Sequence, residues 1–394
     1  MRAKRNTDIE VLRAVAIVTA LVQHFPLLIG HSVPALNKVG HYFGFWGGVD
    51  LFCAISGYVI TRSLSTYMAA VAGRGNWSLE LKTFAIRRVF RLLPSAWLWL
   101  AIPLLLSAIV KPDTYPPART LANDVLAAAF SVANFYWYQC GATGSMGRVC
   151  SDVVILLPYW TLSLEEQFYF LLPIVLLLVP RRWLMPLILL VLAALLTWTR
   201  PLFSLGWFIR IDGLLWGVLL ALLSTGSHYA LGEPRFLRNS RWRPLALIGL
   251  VALICAIPRV LGNYTFEIFG APSPMTIGVL AMSCGLCVYV ASFDKDYLFA
   301  AGPLKDAVVA LGVRSYAIYL VHLPCFELAR SICHQLAPST ELSGLRLVLT
   351  AVPLVVIAAE LTHRFVEIPT RNLGRGVAQR LRDSRSPVLP ETSS

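Results

Sequence analysis

Apolar segments long enough to cross a bilayer recur along nearly the whole chain, and no other feature limits its fold so sharply. They lie at roughly 9–30, 45–63, 84–110, 158–179, 183–200, 205–224, 243–261, 273–292, 307–330 and 345–365. A helix needs about 20 apolar residues to span the hydrocarbon core. Its backbone groups are then satisfied within the segment, which is what a lipid environment demands. Charged residues make up only 14% of the 394-residue chain, against 57% hydrophobic. Water-soluble domains carry about 25% charged residues. Disorder is excluded, since it requires low hydrophobicity. The expectation is an all-α integral membrane protein of about ten transmembrane helices.

The net charge is +13. In a soluble protein it would point to nucleic acid, but here the basic residues sit in short connections, where cytoplasmic loops carry them. No nucleic-acid partner is expected. Arg2, Lys4 and Arg5 put the N-terminus in the cytoplasm. Arg62, Arg74, Lys82, Arg87 and Arg88 mark a second inner loop. Arg181–Arg182, the run Arg235 to Arg243, and Arg371 to Arg385 mark others. All agree only if the weaker segment 119–138, which holds Asn123, Asp124 and Asn134, does not cross. It is then re-entrant or interfacial on the outer side, there are ten crossings, and both termini are cytoplasmic. Eleven crossings would leave Arg181–Arg182 or the tail outside. The first apolar run contains Asp8, Glu10, Arg13 and His24 and lacks a small-x-small cleavage site, so it reads as a retained helix. Cys140 and Cys150 flank an outer Gly-containing loop where a disulfide is open. Cys284-x-x-Cys287 lies inside an apolar segment with no partner pair, and reads as small filler. No ligand cluster has metal spacing, so no metal is expected. Residues 372–394 read as a basic, then polar cytoplasmic tail, partly disordered.

Charges inside spanning segments are costly and mark function. Arg13 and His24 are eleven residues apart, so on a helix they share a face, offset by about 20° and separated by about 16 Å. An Arg near a helix end ordinarily snorkels; a His near the far end of the same face invites chemistry. Arg87, Arg88 and Arg91 fall within one turn. Anchoring accounts for one of them, but a cluster this tight suits phosphate, which guanidinium forks match. Asp50 stands at the start of the second segment, among Gly47, Gly48 and Gly57, which permit close helix approach. Glu165 and Glu166 point about 100° apart, so at most one of them faces a given cavity squarely. Arg210, Asp212, Tyr316, Tyr319 and His322 complete the set. By depth, His24, Asp50, Glu165, Arg210, Asp212 and His322 fall toward the outer side, and Arg13, Arg87, Arg88 and Arg91 toward the cytoplasm. The helices are expected to enclose a polar passage with a phosphate-attracting inner mouth. At its outer end a His could take a hydroxyl proton, its tautomer fixed by a nearby carboxylate.

These residues resemble the membrane acyltransferase family 3. The resemblance rests on seven motifs in order: Arg13-x10-His24; Gly48-Val-Asp-Leu-Phe with Ser56-Gly57; Phe84-x2-Arg87-Arg88-x2-Arg91-x2-Pro94; Trp160-Thr-Leu-Ser-Leu-Glu165-Glu166-Gln-Phe-Tyr169; Arg210-Ile-Asp212-Gly213 with Gly217; Ser315-Tyr316-x2-Tyr319-Leu-x-His322; and Glu367-x-Pro369. Thr161 stands where the family's tryptophan motif usually has Ser, and keeps the hydroxyl. The resemblance implies a transmembrane acyltransferase domain over 1–371. Its donor would be cytoplasmic acyl-CoA, with acetyl-CoA foremost, and its acceptor a saccharide or lipid-linked glycan hydroxyl beyond the inner membrane. His24 becomes base or acyl relay, with Glu165, Asp50 and His322 as further catalytic candidates. Arg13, Arg87, Arg88 and Arg91 become the CoA side; Arg210, Asp212, Tyr316 and Tyr319 the acceptor side. Some members add an extracytoplasmic esterase-like domain. This sequence stops soon after the tenth segment, so direct transfer or handover to an extracytoplasmic partner protein is expected.

Two other readings stand beside this one. The acceptor could be a small molecule such as a macrolide. The same cationic mouth would also serve a flippase for an anionic, phosphate-bearing lipid. The outer aromatics Phe135, Tyr136, Trp137 and Tyr138 could stack on sugar rings, although an interfacial aromatic belt is their ordinary role.

Overall fold

The first helix begins where the sequence supplies a cap. The Asn6 side chain accepts a hydrogen bond from the Ile9 N–H at 3.0 Å, and Asp8 and Glu10 fill the first turn. Both features suit the positive end of a helix dipole. A computed structural model describes residues 5–29, 38–40, 42–72, 77–110, 115, 117–145, 149–151, 155–239, 241–261, 273–336 and 344–384. Among these, every regular element is a helix. The first half holds α1 (Thr7–Ile29), α2 (Gly47–Ala72), α3 (Trp77–Ile109), α4 (Ala118–Ala129), α5 (Ala133–Thr143), α6 (Tyr159–Leu178) and α7 (Arg181–Leu196). The second half holds α8 (Leu205–Phe208), α9 (Asp212–Leu223), α10 (Trp242–Val260), α11 (Met275–Ser292), α12 (Pro303–Val313), α13 (Ser315–Leu336), α14 (Gly344–Thr362) and α15 (Ile368–Asp383). Each of the ten apolar segments read from the sequence falls mainly on helix, although 205–224 is interrupted at 209–211 and the helix in 183–200 ends at Leu196.

Seven helices among the described residues are long and apolar enough to cross a membrane. An eighth joins them if α12 and α13, bent by 66°, count as one. That bend falls inside the segment read as continuous over 307–330. It lies at Arg314, whose guanidinium pairs with Glu360 of α14.

Small residues bring α2 close to its neighbours. A Cβ at Gly57 would strike the Leu214 carbonyl of α9, and one at Gly217 would strike the Ala54 carbonyl of α2. The two helices therefore meet backbone to backbone, the contact that small residues allow in a membrane. This approach sets Asp50 beside Arg210.

The segment 119–138 is not one helix and is not among the candidate spans. It forms α4 and α5, broken at 130–132, with Ser131 at φ 56°. A backbone break at membrane depth must have its polar groups met by protein, and α6 meets them. Gln167 Nε2 donates to the Ser131 carbonyl at 2.8 Å. Ser163 Oγ accepts from Ala133 N–H at 3.2 Å, and Glu166 takes the Ser131 hydroxyl. At the open end Tyr136 donates to Asp124 at 2.6 Å, and a disulfide joins Cys140 to Cys150. Trp137 is buried and Phe135 half exposed. Three of the four aromatics read as outer, Tyr136, Trp137 and Tyr138, are thus engaged in internal contacts.

The basic run expected as tail continues as α15 through Asp383, packed along α3. The last ten residues of that run, 385–394, lie outside the described residues, as do Arg2, Lys4 and Arg74.

Candidate active site

α1 and α13 bring two histidines from 298 residues apart into contact. His24 Nδ1 lies 2.9 Å from His322 Nε2, and the rings stack with centroids 5.0 Å apart. His322 is fully buried. Its other nitrogen, Nδ1, is 2.8 Å from the Tyr319 carbonyl oxygen. A carbonyl only accepts, so His322 Nδ1 carries a hydrogen. When the pair is neutral, His322 Nε2 is then a lone-pair acceptor and His24 Nδ1 must donate to it. The remaining lone pair is on His24 Nε2. A carboxylate was expected to fix this tautomer; a backbone carbonyl acting through a second imidazole does so instead.

Tyr319 precedes His322 by about one turn on α13 and stands 5.7 Å from it, centroid to centroid. Its hydroxyl is 2.7 Å from Thr161 Oγ1 of α6, and its ring meets Phe52 of α2. Phe52, Thr161 and Tyr319 all line one polar cavity, and on α13 Tyr319 is its lining residue nearest His322 in the chain. Arg13, Arg88, Arg91 and Glu165 line the same cavity. On both α1 and α13 the cavity residues come first and the histidine follows about one to three turns later. The histidine pair therefore lies past the cavity residues along both helices.

Inside the cavity the carboxylates are held and the arginines are in surplus. Glu165 accepts from Tyr169 at 2.5 Å and Ser56 at 3.2 Å. Glu10 accepts from Arg13 at 3.0 Å. Arg88 lies 5.5 Å from the centroids of both the Phe84 and Tyr169 rings. Glu165, expected in the outer chamber, thus belongs with the arginines; it lies about two turns into α6, about 9 Å from the start of that helix. Glu166 points to the α4–α5 break instead. Arg87 is not among the residues lining the cavity. Tyr316 lines it and donates to the Leu92 carbonyl at 2.9 Å.

Asp50, Arg210 and Asp212 come together differently. Arg210 Nε donates to Asp50 at 3.2 Å. Asp212 takes two hydrogen bonds from Arg200, at 2.5 and 2.8 Å. All four side chains are buried. The Arg210 guanidinium also packs on Trp207, Trp160 and Trp46, 4.0, 4.8 and 5.2 Å from their centroids. Desolvated charge this deep persists only when paired and hydrogen-bonded. Arg200 escaped the sequence reading because it closes an apolar segment, where an arginine looks like an anchor. Among the described residues no group of three His, Cys, Asp or Glu could hold a metal ion.

A family model described as an acyltransferase domain matches residues 6–361. Among curated proteins, the peptidoglycan O-acetyltransferase OatA of Listeria monocytogenes is 28% identical over 391 residues, covering 93% of this chain and 56% of its own. The O-acetyltransferase OatA of Staphylococcus aureus is 26% identical over 380 residues, covering 92% and 57%. The chain thus spans little more than half the length of these relatives. No solved structure matches it.

Proposed function

The chain belongs to this acyltransferase family, and from that premise we propose a membrane O-acetyltransferase. It moves an acetyl group from cytoplasmic acetyl-CoA to a hydroxyl of a cell-envelope saccharide. The relatives named as O-acetyltransferases support the class of reaction. The observation that carries the proposal is the order of groups: an arginine-rich cavity, the Phe52, Thr161 and Tyr319 side chains that line it, then the imidazole pair.

In this reading the cavity arginines hold the CoA phosphates and the thioester is presented toward His24. His24 Nε2 takes the proton of the acceptor hydroxyl as its oxygen attacks the thioester carbonyl. The C–O bond forms, the C–S bond breaks, and the thiolate leaving as CoA recovers the proton. His322 is a positioning residue: it keeps the His24 tautomer with the lone pair on Nε2. Glu165 positions Tyr169 and Ser56 along the donor path. Asp50, Arg210, Asp212 and Arg200 form the framework under the acceptor side.

The topology that goes with this function has ten crossings, both termini cytoplasmic, in the inner membrane. The motif-bearing helices then point the arginines inward and the histidines outward. A reporter fused after Ser227 should behave as cytoplasmic, and an outer signal there would break the topology. The functional test is a donor–acceptor split. Arg88→Ala and Arg91→Ala should raise the KM for acetyl-CoA and leave that for the acceptor unchanged. A shift in acceptor KM instead would contradict the assignment.

A further inference from the structure

The cavity holds more cations than the sequence motifs supply. Arg5, ahead of α1, and Arg371, on α15, line it together with Arg13, Arg88 and Arg91. Glu10 stands between two groups of them. Its Oε1 is 3.5 Å from Arg5 Nε on one side and 3.0 Å from Arg13 on the other. Arg371 lies within electrostatic reach of Arg5 and Glu10. Arg91 lies within electrostatic reach of Arg88 and Arg13, which with it make the second group. Arg5 precedes the first residue of α1 and Arg13 lies six residues into it, yet both guanidiniums reach the same Glu10 oxygen, where the two groups meet. The buried Nε of Arg371 has no hydrogen-bond partner among the described residues.

CoA carries two separate anions, a 5′-diphosphate that leads into the pantetheine arm and a 3′-phosphate on the ribose. Resting on the donor reading above, we propose that the two arginine groups divide these anions. Arg13, Arg88 and Arg91 take the diphosphate, because the arm must continue from it toward the imidazoles. Arg5 and Arg371 take the 3′-phosphate at the mouth, a dianion that two guanidinium forks match. The chain's two ends thereby close one subsite. A π-helical turn at His363–Glu367 sets up the second end, with His363 Nδ1 2.6 Å from Glu367 Oε2. One extra residue in a helical turn rotates everything after it by about 100°. It thus fixes the face on which Arg371 is presented.

The test is calorimetric titration of the full chain in nanodiscs with CoA and with 3′-dephospho-CoA. The unmodified protein should bind dephospho-CoA about tenfold or more weakly than CoA, the scale of one charge-assisted contact. Arg371→Gln and Arg5→Gln should weaken CoA by a similar factor and leave dephospho-CoA binding unchanged, which also establishes that the variants are folded. Arg91→Gln should weaken both nucleotides alike, and Arg371→Lys should recover part of the loss. Equal weakening of both nucleotides by Arg371→Gln, or of neither, would overturn the division. Tight dephospho-CoA binding by the unmodified protein would overturn it too, with the donor reading intact. Binding of neither nucleotide would sink the donor reading itself.

Discussion

Two charged clusters lie among the helices, built from the same residue types to opposite ends. In the Asp50–Arg210 and Asp212–Arg200 pairs each arginine has its own carboxylate, and every side chain is at most 2% exposed. The cavity holds five arginines against three carboxylates, Glu10, Glu165 and Glu367. Glu165 is held by Ser56 and Tyr169, and Glu367 by His363. A balanced, sealed cluster is a framework. A cavity with surplus cation suits an anionic ligand, which is the role proposed for it above. The charge balance around an ionisable residue separates the two roles better than its depth does.

The largest expected effect falls on neither cluster. His24→Ala should lower the transfer rate by about 10²–10⁴-fold, the usual worth of a general base, while CoA binding by calorimetry stays unchanged. Loss of CoA binding together with activity would place His24 in the donor site instead. Next comes the framework: Asp212→Ala strands the buried Arg200 and should cost about 3–5 kcal/mol, read as a lowered Tm in detergent. If Tm holds and only activity falls, the distinction between the clusters fails. Removing a cavity arginine should do the reverse. Arg91→Ala should raise the acetyl-CoA KM by about 10–100-fold, as expected for a charge-assisted phosphate contact. Its Tm should hold or rise, since Arg88 and Arg13 lose a like-charged neighbour.

The smallest effect is at the connection between α9 and α10. Lys295, Tyr297 and Arg238 hydrogen-bond to Glu233 and hold its carboxyl down to about 2 from an ordinary 4.5. A depressed carboxylate stabilises above its ordinary range and loses that contribution as pH falls toward 2. Glu233→Gln should therefore flatten the pH dependence of Tm between about 4.5 and 2. A variant whose Tm falls with pH as steeply as the parent's would remove Glu233 from the account.

The helices were legible because lipid leaves so few options: all ten apolar segments fall mainly on helix, with 205–224 interrupted at 209–211. The break at 130–132 was not, since Phe130-Ser131-Val132 carries neither Gly nor Pro; the polar residues of α6 make it possible. The Arg314 bend was hidden for a similar reason, because its ion partner Glu360 is 46 residues away. Within the site, Arg13, Arg88, Arg91 and Glu165 were legible as intramembrane charge. Arg5 and Arg371 were not, because a basic residue at a chain end reads as topology until the other end of the chain arrives beside it. The helical spacing of Tyr319 and His322 was visible, but their partnership with His24 depends on how α13 packs against α1.

The most direct test of the central claim places labelled acetyl-CoA on the cytoplasmic side of membranes holding either the parent protein or His24→Ala. Base-labile label is then measured on envelope saccharide beyond the membrane. The account predicts label with the parent and none with His24→Ala, although both bind CoA. Equal label in both, or none with a parent that binds CoA and is given envelope saccharide, would contradict it.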